Sequence, residues 1–413
     1  MNAIAPAFGC TAEGLHFDDA LERVLGLAPA WPTVEDVALD ACAGRILARD
    51  LLARRDLPGF DQSAMDGYAV RAGDLTPGAW LGITGRTAAG EAPGVLHPGG
   101  VYRILTGAPL PQRADAVIAQ ENIELCGDMV LLGQLPPPGT NVRRRGEDIS
   151  TGQLLMAAGT RLDWRQIAVL AAQGVGTVSV RRRPVVALLS SGRELRGPSE
   201  TLDPGQIHDS NLPMLTALLH ASGAEVRPIP VVADSASAMR AALREASVGA
   251  DLVLTTAGIS VGDEDHVRDA LHELGGDLTV LKVAMKPGKP LAAGRLGDAV
   301  FIGLPGNPMA ALAGAIAFVR PLLARMTGSA MPTRLQAHAG FDLERKPGRT
   351  EFIAVRLYQR NGCLWADRVG PDGSGRLAPL LQATGLALLA EDATQIAHGT
   401  LLGVLPFNPG CLT

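Results

Sequence analysis

Lysine occurs only four times in this 413-residue chain, at Lys282, Lys286, Lys289 and Lys346, while arginine supplies every other basic side chain. Three of the four fall in the short stretch KVAMKPGKP. Arg and Lys replace one another at most solvated positions, so a lysine cluster in an arginine-using chain points to a place that needs compact ammonium groups. Such groups meet oxyanions. The segments SSGRE, VADS, TTAGISVGDED and GLPGNP bring glycines, hydroxyls and carboxylates to the same chemistry. Backbone N–H groups and lysines can hold phosphate-like oxygens, and carboxylates can hold a hard cation such as Mg²⁺. Each position also has a simpler structural use. Asp66 suits a turn brace, Asp234 a helix cap and Asp265 the first turn of a helix, while Pro305 and Pro308 suit the end of a strand and the start of a helix.

These residues need elements to carry them. After Pro184, β-branched apolar runs at Val185 to Leu189, Val226 to Val232, Leu252 to Thr255, Leu278 to Val283 and Ala299 to Ile302 alternate with helical patterns. The helical patterns fall near Leu212 to Ser222, Ala236 to Ala246, Glu264 to Leu274 and Pro308 to Ala324. This alternation predicts a doubly wound parallel sheet, in which ligands bind beyond the carboxyl ends of the strands, where the loops above lie. Asn211 and Asp263 are expected to cap helices, with Gly223 and Gly275 closing them. Upstream, helices are expected from Leu15 to Leu27, near Leu39 to Ala48 and from Asp163 to Gln173. Between Trp80 and Leu135, short apolar runs and a Gly127-Asp128 turn predict a β-rich domain. Beyond Met331, two strands flank Asn361-Gly362, a hairpin signal, in a small all-β domain. The expected domains are therefore 1–60 with 150–183 (helical and linking), 61–149 (β-rich), 184–330 (α/β) and 331–413 (β-barrel-like).

Composition narrows the function. The net charge of −5 gives no sequence-wide attraction to nucleic acid. Five scattered cysteines and eight dispersed histidines form no disulfide framework or zinc spacing, which fits a reducing, cytoplasmic setting. The longest uncharged, largely apolar stretch, Pro308 to Val319, is too short to span a bilayer. Neither a P-loop nor a dinucleotide fingerprint is present, and GISVG matches the letters of a nucleophile elbow without its context.

In order along the chain stand PGFDQSAMDGYAV, RILTGAP, RRRGEDIS, ISVGDED, KPGKP, LPGNP and PGRTEF. This series resembles the MoeA family of molybdopterin molybdenumtransferases, which includes the C-terminal domain of gephyrin, over nearly the whole chain. The resemblance implies insertion of molybdate into adenylylated molybdopterin with Mg²⁺, releasing AMP. It implies a homodimer whose cleft joins the β-rich domain of one subunit to the third and fourth domains of the other. A molybdopterin adenylyltransferase and molybdoenzyme apoproteins are the implied protein partners. Carried over motif by motif, it assigns catalysis to Asp66, Thr106, Asp234, Asp265, Lys282 and Lys286. Substrate binding falls to Lys286, Lys289, Pro305, Pro308, Arg349 and Ser374, and the metal to Glu194, Asp234 and Asp265. The chain departs from the family at Arg193, where an acid is usual, at Ala257 in place of glycine, and at Ala310 in place of a serine. Two other readings compete: a nucleotide pyrophosphatase related through the α/β domain alone, and a non-catalytic dimeric scaffold or diverged paralogue.

Overall fold

The computed structural model describes residues 14–29, 33–232, 235–256, 266–371 and 373–408. The chain divides into two compact units, one made of Arg49–Ala158 with Trp164–Thr177 and the other of the remaining segments.

The smaller unit is built on a six-stranded sheet. Its spatial order is Ala116–Ala119, Gly67–Val70, Gly100–Ile104, Trp80–Thr87, Met129–Leu132 and Ile123–Cys126. Gly67–Val70 is buried along its whole length. A Cβ at Gly67 would lie 1.9 Å from the Ile118 carbonyl oxygen, so only glycine allows this pair of strands to approach so closely. The expected turn is present: Cys126 pairs with Met129 and Gly127 has φ 58°.

In the larger unit, Glu225–Val232, Val185–Ser191, Leu252–Thr256 and Ala299–Leu304 lie side by side in parallel. Two strands extend this doubly wound sheet. Pro290–Leu296, not anticipated from the sequence, runs antiparallel beside Ala299–Leu304, and Asp277–Lys282 runs antiparallel beside that. Two reversals return Asp277–Lys282 to the direction of the parallel strands, so its C-terminal end at Lys282 lies on the same edge as theirs. Both faces of the sheet are covered, as its apolar composition requires. One face packs Leu188, Leu254 and Ile302 against Phe17, Leu215, Phe318 and Leu322 from three helical segments. The other packs Leu189, Val253 and Phe301 against Leu243 and Leu271 from two more.

The helix that begins at Pro308 runs through a π turn at Ala315–Val319 and on to Thr327. Among the described residues it is long and apolar enough to cross a membrane, yet 89% of its apolar window is buried in this core. The C-terminal segment closes into a five-stranded barrel of Thr350–Arg360, Cys363–Arg368, Leu335–Ala339, Leu401–Pro406 and Gly385–Leu389. The first and last of these pair with each other. Asn361 and Gly362, at φ 51° and 76°, make the expected tight hairpin.

Two local expectations give way. Leu39 to Ala48 is not a helix: a 3₁₀ turn at Leu39–Ala41 is followed by Gly44 at φ 74°, and then by bridges from Ile46 to Arg161 and from Leu47 to Val180. Pairing with distant strands overrides local helical spacing here. Asn211 is the first helical residue rather than the cap. The buried Asp209 does the capping, its Oδ1 accepting from the backbone N–H groups of Asn211 (2.9 Å) and Leu212 (3.1 Å). Gly223 and Gly275 close their helices in left-handed conformations, whereas Asp263 lies outside the described residues.

Candidate functional site

The lysine-rich segment links the α/β sheet to the barrel. After Lys282 the chain turns, and Met285–Lys286 adds a parallel strand to the barrel, Met285 opposite Thr350 and Lys286 opposite Glu351. The Thr350 amide donates to the Ala284 carbonyl at 2.9 Å. At this junction lies a cleft of about 460 Å³ whose lining includes Lys286, Lys289, Pro305, Arg349 and Ser374. Residues separated in sequence by up to 88 positions (374 minus 286) therefore share one wall system. Its apolar surface comes from Met285, Met309, Ala310, Phe352, Ile353 and Ala354. The Ser374 loop is fastened to the helix that begins at Pro308, since the Met309 amide donates to the Ser374 carbonyl at 2.9 Å. Pro308 itself opens that helix, and its neighbours Asn307 and Met309 line the cleft.

The charge of this cleft is unbalanced. Among the described residues, Lys286, Lys289, Arg349 and Arg368 line it against a single carboxylate, Glu351. Lys289 and Arg349 are exposed, and their side chains make no hydrogen bond or ion pair among the described residues. Lys286 donates to Glu351 Oε1 at 2.5 Å, and Arg345 Nε donates to Glu351 Oε2 at 3.1 Å. A surplus of donors in an apolar-walled cleft suits a multiply charged oxyanion, which accepts charge-assisted hydrogen bonds on several oxygens. Glu351, Arg345 and Arg368 are missed by sequence reasoning. Arg345 and Glu351 lie within ERKPGRTEF and Arg368 within CLWADRV, where the sequence alone assigns them no role, and only the fold brings Glu351 and Arg368 to one cleft and Arg345 to Glu351.

The other predicted residues are distributed as follows. Lys282 is half-buried at the end of its strand and does not line the cleft; its carbonyl accepts from the Leu15 amide at 3.1 Å. Arg193 and Glu194 are both exposed just beyond Val185–Ser191. Asp234, Asp265 and Ala257 lie outside the described residues. Among the described residues no three His, Cys, Asp or Glu side chains converge as a metal site. In the smaller unit Asp66 and Thr106 do meet. Asp66 Oδ1 accepts from the Thr106 amide and from its hydroxyl, both at 2.7 Å. These bonds, the amide's first, with a smaller contribution from the charge of Arg103, hold the Asp66 carboxyl below the usual carboxylate range. Asp66 is thus an ionised, exposed acceptor with one oxygen committed to Thr106.

A doubly wound α/β domain, a closed barrel and a cationic cleft where they join define a multidomain protein with a cleft suited to an anionic small molecule. Comparison with known proteins specifies the family. Residues 15–174 match the MoeA N-terminal region (domain I and II), 187–325 a probable molybdopterin binding domain, and 336–407 the MoeA C-terminal region (domain IV). The chain belongs to the MoeA family. It is 34% identical over 400 residues to the molybdopterin molybdenumtransferase of Haemophilus influenzae, covering 95% of this chain and 99% of that one. It is 36% identical over 382 residues to molybdopterin molybdenumtransferase 2 of Mycobacterium tuberculosis, covering 89% and 94%. Among solved structures, the molybdopterin biosynthesis moeA protein from Pyrococcus horikosii superposes with a TM-score of 0.83 at 32% identity, covering 96% of this chain and 99% of that one.

Proposed function

We propose that the protein inserts molybdate into adenylylated molybdopterin and releases AMP. The observation that carries this reading is the convergence of Lys286, Lys289 and Arg349 on one apolar-walled cleft with Pro305 and Ser374. Molybdate is a tetrahedral dianion, and the pterin substrate carries a phosphoanhydride to AMP. Both need donors and positive charge, and neither suits a neutral pocket. Lys289 and Arg349 supply cations not committed elsewhere among the described residues, and Ser374 borders the same space. Lys282, which does not line the cleft, keeps the catalytic role that the resemblance implies, and Pro305 and Pro308 shape the turn into the helix. The match over 95% of this chain and 99% of a molybdenumtransferase relative supports this over a pyrophosphatase related through the α/β domain alone, and the retained cations favour it over a non-catalytic scaffold.

In this reading Glu194, Asp234 and Asp265 would hold Mg²⁺. Carboxylates following three parallel strands are a donor set of the kind hard cations take, and Glu194 is exposed and available for it. Bound there, the ion would neutralise phosphoanhydride charge as AMP leaves. The protein would act in the cytoplasm as a homodimer, Asp66 and Thr106 of one copy serving the cleft of the other. An adenylyltransferase would supply the pterin and molybdoenzyme apoproteins would receive the product. The test is incubation with adenylylated molybdopterin, molybdate and Mg²⁺, following AMP release and reconstitution of an apo-molybdoenzyme. AMP release that requires molybdate supports the reading; its absence, with the pterin unbound, refutes it.

A further inference from the structure

The cleft's cations are anchored by a residue of the PGRTEF motif to which the sequence assigned no role. Glu351 is only 6% exposed, yet its carboxylate faces two basic side chains, with Oε1 accepting from Lys286 Nζ and Oε2 from Arg345 Nε. The Arg345 side chain is 4% exposed. Three of its other four donors go to backbone: Nη1 to the carbonyls of Ala390 (2.5 Å) and Ala393 (2.6 Å), and Nη2 to the carbonyl of Arg349 (2.5 Å). One buried guanidinium thus touches the backbone of Arg349, the carboxylate that holds Lys286, and the loop at Ala390–Ala393. Lys286 keeps nearly half its side chain exposed and has further N–H donors beyond the one given to Glu351.

We infer that Glu351, seated on Arg345, is a positioning residue that fixes the Lys286 ammonium relative to Arg349, so that the two cations present a preformed clamp to the oxyanion. A lysine is a point charge on a flexible four-carbon stem, and without an anchor its donors must be ordered anew at each binding event. A carboxylate beside a cation site would, as a charge alone, weaken anion binding. As a positioner it strengthens it. The two roles therefore predict opposite signs for the same substitution.

This inference rests on the cleft being the oxyanion site proposed above, and its test separates the two. Glu351→Gln keeps the shape and the acceptor oxygen while removing the charge. We expect kcat/KM for molybdate to fall by about tenfold or more, since small displacements of a positioned group cost up to about a hundredfold. In the Lys286→Met background the same change should have little further effect, because the pathway through Lys286 is already gone. A tightened KM for molybdate, or a full loss persisting in that background, overturns the inference.

A second readout does not depend on activity. With four lysines in the chain, ¹³Cε-lysine spectra are assignable by single Lys→Arg changes. The Lys286 methylene should be motionally restricted compared with that of Lys346, and Glu351→Gln should release it. Equal mobility in the unsubstituted protein, or no release, overturns the inference whatever the enzyme does. Wild-type protein that neither binds the pterin nor releases AMP refutes the proposed function, while the spectra still decide the positioning role. Should Glu351→Gln not fold, Arg345→Lys removes the fork. It should lower kcat/KM while leaving Lys286 restricted, and unchanged kinetics would refute a clamp seated on Arg345.

Discussion

Replacing Arg345 by Met should destabilise the barrel far more than removing a surface arginine of similar pairing. The Arg345 side chain is 4% exposed and that of its partner Glu351 8%, so truncation strands a buried carboxylate oxygen and frees three carbonyls. Breaking a buried ion pair by deleting one member costs about 3–5 kcal/mol. Because Lys286 still pairs with the other carboxylate oxygen, the lower end, about 3 kcal/mol, is the expected value. Arg334 and Asp18 provide the control: their contact is 3.4 Å, but the side chains are 44% and 81% exposed, and Arg334→Met should cost no more than about 1 kcal/mol. Amide hydrogen exchange within Thr350–Arg360 reads the difference locally, without requiring the whole chain to unfold in one step. A 3 kcal/mol loss speeds exchange through opening by on the order of a hundredfold. Arg345→Met accelerating exchange no more than Arg334→Met would falsify the reasoning. Adding Glu351→Leu to Arg345→Met should recover part of the loss, because the uncompensated charge is then gone.

Three further outcomes follow from the same geometry. Lys289→Ala and Arg349→Ala should each weaken oxyanion binding by about tenfold, the lower end for a charge-assisted contact because both side chains are exposed, and more at low salt than at high; titration calorimetry at two ionic strengths reads this. Asp56 is held down to about 2 from its ordinary 3.8, first by the Thr151 hydroxyl, then by the Thr151 amide and Arg145. A lowered folded-state value means its contribution is complete above about pH 4 and fades as pH falls towards 2; an NMR titration should show the low midpoint, and Thr151→Val should raise it. Gly67→Ala forces a Cβ to within 1.9 Å of a backbone oxygen and should lower stability by about 1–3 kcal/mol or more, visible as a lower melting temperature for the smaller unit.

What could be read in advance depended on whether the signal was local. The KPGKP cluster stood out because its composition differs from the rest of the chain, and three apolar runs marked the central parallel strands because burial on both faces leaves them almost wholly apolar. Pro290–Leu296 was missed although it is nearly as buried, since Pro290 and Gly294 read as punctuation. Gly294 is in fact a requirement of the strand: a Cβ there would stand 1.8 Å from the Asp277 carbonyl oxygen.

Glu351 marks the limit of local reading for a different reason. Its meaning depends on Lys286, 65 residues earlier, and the two meet only because Met285–Lys286 leaves one domain to pair in register with a strand of another. A one-residue slip in that pairing would place Thr350 or Phe352 opposite Lys286 and leave Glu351 Oε1 without the ammonium, only Arg345 still holding the acid. Burial of the acid therefore penalises wrong registers, since the lost charge-assisted hydrogen bond to a buried oxygen costs about 1.5–3 kcal/mol. The ion pair that aligns the cations of the cleft thus also selects how the two domains are joined, which binds the geometry of the site to the assembly of the fold.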